Sequence, residues 1–293
     1  MTLRLLAAAA AAFTFAAAPL AHAETAWRDR ITVQTVGQGP DVILIPGLSS
    51  SRQVFAATAE RLSAEHRVHL VQVRGFAGDP PPEDADRVFD PLVEALGDYI
   101  RQERLDAPAI IGHSMGGAAA LALAAREPDL PGRVMIVDAL PFYPLLFSPT
   151  VTVETARPFA DQARSQLLAL DEAGFRQMQE AAAATLSLTP EARTRIVADG
   201  LASTRSVQAQ AVHELMTTDL RAEFGQVRAP VTVLYAWDAS MGRPATAADA
   251  LFGGGYDGLA GVGMVRIDGS LHFIMDDQPG RFAHAVDAFL EAP

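Results

Sequence analysis

The sequence contains no cysteine. It can therefore form no disulfide, hold no metal through a thiolate and use no cysteine nucleophile. Lysine is absent as well, so all 23 basic residues are arginine, which excludes a Schiff-base lysine and the lysine of a phosphate-binding loop. Asparagine is missing too, and with it every N-glycosylation acceptor. Positive charge is scarce beside negative: 35 Asp and Glu leave a formal charge of −12 over 293 residues. Such an acidic surface disfavours nucleic acid and anionic lipid as partners. Apolar residues are plentiful, at 49% of the chain, enough at this length for a sizeable core in one large domain or two small ones.

The first 23 residues read as a leader. Arg4 gives a short positive start, residues 5–20 form an apolar run, and Ala21-His22-Ala23 supplies the small-x-small pattern for cleavage before Glu24. The run is shorter than the roughly 20 residues a spanning helix needs. An exported chain, periplasmic or secreted, is the expectation, without integral membrane contact after cleavage.

Beyond the leader, short β-branched runs alternate with longer Ala-rich stretches. Strands are expected over residues 31–36, 42–45, 68–73, 108–111 and 134–137, with helices over 52–65, 88–105 and 118–126. Unbroken apolar strands alternating with helices predict an α/β fold, a doubly wound and mostly parallel sheet covered on both faces. From about Pro141 to Gly225 the rhythm stops and the sequence turns helical, punctuated by prolines. It resumes with strands at 230–235 and 263–267 and helices near 245–252 and 281–290. The expected division is thus a leader (1–23), an α/β core (24–140 and 226–293) and an inserted helical cap (141–225).

Between the strand ending at Ile111 and the helix from Ala118 stands Gly112-His113-Ser114-Met115-Gly116-Gly117, a G-x-S-x-G motif in the strand–turn–helix setting it requires. A serine on so tight a turn must take a strained conformation that lifts its hydroxyl off the sheet. A Cβ at positions −2 and +2 would clash, hence Gly112 and Gly116. The helix N-terminus beside Ser114 aims N–H groups at any developing oxyanion.

A serine hydroxyl needs a base, and the base needs an orienting acid. Among the histidines, His272 directly follows the last strand and falls at the same sheet edge as Ser114. His113 adjoins the serine, but a sharp turn directs its ring away from the Ser114 hydroxyl, so it reads as packing within the turn. The acid should end a strand. Asp238, after residues 230–235, is the candidate, with Asp138, after residues 134–137, as the alternative.

These segments resemble the α/β-hydrolase family. Residues 112–117 match its nucleophile elbow, Ile45-Pro46-Gly47-Leu48 its oxyanion loop, and Arg74-Gly75-Phe76-Ala77-Gly78 its R-G-x-G segment with one extra residue. The order Ser, Asp, His fits, and residues 141–225 correspond to the family's cap. The oxyanion loop carries Pro46 where many members have histidine. The carried-over donors are backbone N–H groups, however, and by position belong to Leu48 and Met115. The resemblance implies a serine hydrolase of small carboxylic esters or lactones, with no cofactor and no metal. Perhydrolase, haloperoxidase-like or cyanohydrin-lyase chemistry on the same residues is an alternative, as is a non-catalytic binding protein on this fold. Phe142, Tyr143, Leu145, Leu146 and Phe147, just after residues 134–137, suit either core or an apolar acyl pocket.

Overall fold

In the central strands of the sheet, alternate side chains feed opposite faces, and both faces are covered. Val42 and Leu44 enter one apolar core while Ile43 and Ile45 enter the other, all of them buried. This is why those segments read as unbroken hydrophobic runs. The computed structural model describes residues 24–27 and 29–292; the leader expected over residues 1–23 lies outside them.

The described strands are β1 (Glu24–Trp27), β2 (Ile31–Val36), β3 (Asp41–Ile45), β4 (Arg67–Val73), β5 (Ala109–His113), β6 (Arg133–Val137), β7 (Val231–Trp237) and β8 (Gly263–Asp268). They form one eight-stranded sheet in the order β1-β2-β4-β3-β5-β6-β7-β8. From β4 to β8 every pairing is parallel, and β1 and β2 add an antiparallel edge. Strand β1 has no counterpart in the periodicity reading, where the first strand begins at Ile31; it pairs with β2 through Trp27 opposite Ile31.

The helices are α1 (Ala56–Leu62), α2 (Phe89–Gln102), α3 (Met115–Arg126), α4 (Val153–Ala169), α5 (Glu172–Leu186), α6 (Pro190–Ala202), α7 (Arg205–Thr217), α8 (Ala245–Gly255), α9 (Ile274–Asp277) and α10 (Pro279–Glu291). Apolar residues of α2, α3 and α8 fill the core on one face of the sheet, and those of α1 and α10 the other. Every residue of α3 from Met115 to Ala125 is buried. A helix apolar on all sides belongs inside, and its run of alanines lets it lie close against β5 and β6.

Helices α4 to α7 enter between β6 and β7. They sit over the C-terminal edge of the sheet, and polar contacts fasten them to the loops that leave it. Asp199 of α6 accepts hydrogen bonds from the N–H and hydroxyl of Ser51 at 2.9 and 2.7 Å. Gln208 of α7 donates to the Ser49 hydroxyl at 2.6 Å, and the Thr204 N–H donates to the Gly75 carbonyl at 2.7 Å. Glu214, further along α7, receives the Val88 and Phe89 N–H groups at 3.0 and 2.6 Å, where α2 begins. A helix start leaves such donors without intrahelical partners, and a carboxylate there satisfies them. Helix α4 in turn packs along α7.

Candidate active site

Strand β5 ends at His113 and α3 begins at Met115, so Ser114 alone makes the turn between them. Its backbone stands at φ 54°, ψ −122°, a conformation that costs on the order of 1–3 kcal/mol for a residue with a side chain. The surroundings hold it there: the Ser114 N–H donates to Val137 O at 2.9 Å, and its carbonyl accepts from Gly117 and Ala118 at 2.9 and 3.0 Å. Crossing of strand and helix is so close that a Cβ on Gly112 would lie 2.2 Å from the Gly116 carbonyl oxygen, and one on Gly116 would lie 2.3 Å from that of Ile45. Only glycine admits that approach.

The loop after β3 runs beside the elbow. A Cβ built on Gly47 would stand 2.9 Å from the Ser114 Cβ, which brings the Gly47–Ser50 turn against the serine. Within that turn the Ser50 N–H donates to Gly47 O at 3.2 Å, and Ser49 takes φ 56°. Leu48 lies between these two, its side chain packed against the core. Met115 is the first residue of α3, so its N–H has no intrahelical acceptor.

The structure corrects the choice of acid. His272 pairs through Nδ1 with Asp138, at 2.7 Å from Oδ2, and Asp238 takes no part in the pair. Asp138 leaves β6 at φ 49°, with its own N–H bonded to Leu234 O at 2.7 Å. Its second carboxylate oxygen accepts the Ala236 N–H at 2.9 Å. Both oxygens are thereby oriented, one by β7 and one by the imidazole. Asp238 continues β7 at φ −142° and turns its carboxylate onto the Ser240 N–H at 2.8 Å, capping the turn Ala239–Met241. Those hydrogen bonds from Ser240 hold the Asp238 carboxyl below the usual carboxylate range. The physical reason lies in the path of the chain after β8: Gly269 bonds back to the Trp237 carbonyl at 2.8 Å, and the segment then crosses the end of β7 to reach the elbow. Asp238 stays partly exposed on its own turn, while His272 meets Asp138.

His113 does more than pack within the turn. It is fully buried, with its ring centroid 4.5 Å from that of His272 and 4.7 Å from that of Phe273. Its Nε2 donates to the His272 carbonyl at 3.0 Å, so the residue before the serine grips the backbone of the residue paired with Asp138. Burial, with His272 close by, pushes the His113 imidazole well below its ordinary value. It is neutral and donates through Nε2.

The apolar segment after β6 divides. Phe142 is fully buried, with the Arg221 guanidinium 5.5 Å from its ring centroid, and Leu145 is buried as well. Both are core, which removes Phe142 from the open pocket wall expected of it. Tyr143, Leu146 and Phe147 are exposed, and the rings of Tyr143 and Phe147 meet edge to face at 5.7 Å. Arg74 holds Asp29 and Asp79 in ion pairs. His69 sits far from this edge in a buried array, with Nε2 on Asp41 at 2.9 Å and Nδ1 on the Tyr99 hydroxyl at 2.5 Å.

A strained serine between strand and helix, a histidine–carboxylate pair brought to the same edge and a helical insert above them define a class, that of the α/β enzymes with a nucleophile elbow. The model of the α/β-hydrolase family matches residues 42–285, and the chain belongs to that family; it is a hydrolase. Among curated proteins it is 32% identical over 214 residues to a pimeloyl-[acyl-carrier protein] methyl ester esterase of Chromobacterium violaceum, covering 69% of this chain and 77% of that protein. The protein of the same name from Nitrosomonas europaea is 26% identical over 229 residues, covering 75% and 84%. Among solved structures, an enol-lactonase from Burkholderia xenovorans superposes with a TM-score of 0.73 at 20% identity, over 92% of this chain and 99% of that one. A thermophilic esterase from Thermogutta terrifontis gives 0.71 at 20% identity, over 92% and 97%. At such identities the two structures speak for the fold alone.

Proposed function

We propose that this hydrolase cleaves a small carboxylic ester or lactone through an acyl-enzyme on Ser114, with His272 as base and Asp138 as the acid that orients it. The observation that carries the reading is the 2.7 Å contact between His272 Nδ1 and Asp138 Oδ2 on a loop tied to the elbow. With Nδ1–H committed to the carboxylate, Nε2 is the free base of the ring. The Ser114 Oγ adds to the substrate carbonyl while His272 Nε2 takes its proton. The resulting oxyanion is held by the N–H groups of Leu48 and Met115, worth about 3–4 kcal/mol for a well-placed donor. Collapse breaks the C–O bond, and the imidazolium returns the proton to the leaving alkoxide. Water, deprotonated by the same nitrogen, then adds to the acyl-enzyme; the acid leaves and Ser114 regains its proton. The exposed Tyr143 and Phe147, which follow β6, suit an apolar part of the substrate. The two esterases of Chromobacterium violaceum and Nitrosomonas europaea support ester cleavage by their names.

Replacing Ser114 by Ala tests the mechanism directly. Turnover of activated aryl esters should fall by at least about 10³-fold, and labelling by a fluorophosphonate probe should vanish. Retention of most activity by that variant would sink the proposal. Perhydrolysis with peroxide and acetate, and cyanohydrin cleavage, belong in the same assay panel beside esters and lactones. We further propose that the chain is exported, on the strength of Arg4, the apolar run and Ala21-His22-Ala23. N-terminal sequencing of the mature protein should then begin at Glu24; a retained leader would count against it.

A further inference from the structure

The chain around His272 is gripped on both sides, and two of the grips involve the helical insert. The N–H of Leu271, the residue before His272, donates to Asp277 Oδ2 at 2.9 Å. The His272 carbonyl accepts from His113 at 3.0 Å. The N–H of Phe273, the peptide leaving it, donates to the Leu186 carbonyl at the end of α5, also at 3.0 Å. Asp277 then reaches past its own loop. Its Oδ1 takes the Ser187 hydroxyl at 2.6 Å, the Leu188 N–H at 2.9 Å, and the Thr189 N–H and hydroxyl at 3.1 and 3.0 Å. One carboxylate therefore joins the histidine loop to the turn between α5 and α6. Beside it the Arg195 guanidinium of α6 forks onto Asp276 at 3.1 and 2.5 Å, a second bond between the same two segments.

We infer that Asp277 is a positioning residue, which makes the placement of the His272 imidazole depend on the seating of the α5–α6 turn. The inference rests on the reading of His272 as the base and deepens it. Five donors converge on this carboxylate, four of them from the insert and one from Leu271, the residue before His272. Ser187 itself is fully buried, so loss of the acceptor leaves desolvated donors without partners, and the turn cannot stay where it is. Leu271 shares that acceptor, and the histidine next to it moves with the turn. Proton transfer between Ser114 and His272 tolerates little displacement: an error of about 1 Å in a reacting group costs about 10²-fold. In this scheme the insert is a structural member of the catalytic edge at its α5–α6 end, rather than a lid that swings free there.

The test uses Asp277→Asn together with the double variant Ser187→Ala, Thr189→Val, which leaves Asp277 and Leu271 untouched. Both should lower kcat, by about 10- to 100-fold for Asp277→Asn, and less for the double variant, with KM within about threefold of the parent. The downfield imidazole proton of the His272–Asp138 pair should shift or broaden in both by NMR, at temperatures where circular dichroism shows a folded chain. A variant that unfolds earlier but keeps its parent kcat and an unmoved imidazole proton would overturn the inference, since its carboxylate would then serve stability alone. His272→Ala serves as the reference: if it retains esterase activity and fluorophosphonate labelling, the reading of His272 as base fails, and the positioning role falls with it. Should Asp277→Asn not fold, the double variant decides by the same two measurements.

Discussion

Two neighbouring strands, β6 and β7, each end in an aspartate at the catalytic edge, and the two residues have opposite fates. Asp138 turns into the left-handed region at φ 49° and sends one oxygen to the Ala236 N–H and the other to His272. Asp238 stays extended at φ −142° and spends its carboxylate on Ser240, two residues along its own chain. The residue type is the same and the strands adjoin, so chemistry alone does not separate them. The difference is one of competition. A carboxylate followed by a tight turn finds a local donor at almost no entropic cost, whereas one held by the next strand keeps an oxygen for a distant partner. The aspartate that pairs with His272 is the one whose own turn has not already claimed it.

The largest expected effect comes from breaking the pair that this comparison favours. Asp138→Asn should lower kcat by about 10³- to 10⁴-fold while leaving the fold intact, because an amide cannot hold His272 in the tautomer with a free Nε2. Steady-state hydrolysis of aryl esters reads this out. The matching change on the other strand, Asp238→Asn, should alter kcat by no more than about twofold, and its cost should be a drop of a few degrees in Tm at most from a weaker turn. Equal losses in the two variants would undo the comparison.

The smallest effect concerns the residue that delivers the loop to β6. Burial keeps the folded His113 imidazole neutral, well below its ordinary value. Above about pH 6.5 the unfolded chain is neutral there too, so the group adds no pH dependence. Below that, the unfolded chain takes up a proton that the folded one refuses, and stability falls as pH falls, by up to about 1.4 kcal/mol per pH unit. Thermal unfolding should therefore show Tm decreasing from pH 7 to pH 5, with a shallower slope in His113→Gln. Burial lowers His69 as well, so part of the slope should survive in that variant. An unchanged slope would mean that His113 is not the residue refusing the proton.

Much of this architecture is legible in the residues. The alternation of strands and helices, the interruption over 141–225 and the elbow at Ser114 follow from periodicity and from two glycines where a Cβ has no room. Strand β1 escaped because four residues carry too little pattern, and it is held by pairing with β2 rather than by its own composition. The carboxylate partner of His272 escaped because it depends on where a loop crosses, which no strand-end residue encodes. A signal was nonetheless present in Asp238-Ala239-Ser240: an aspartate two residues before a serine in a short turn bonds its own backbone. Phe142 and Phe147 look alike in sequence, yet Arg221 covers the first and leaves the second in the open. Asp277 gave no sign of its bonds to the insert, since those partners lie about 90 positions away in the chain.

The attachment of the insert has a further consequence for how this enzyme can change. Helices α6 and α7 carry the bonds to the loops after β3 and β4, and the α5–α6 turn carries those to the loop after β8. Helix α4 packs along α7 and presents Phe159 and Leu168 to the outside. Selection is thus free to rewrite the outer face of α4, at Phe159 and Leu168, while Ala156 in the core and Asp161, bonded to His213 of α7 at 2.9 Å, hold the helix in place. The chain keeps its tolerance for novelty on one face of one helix and its intolerance in the bonds of the other three.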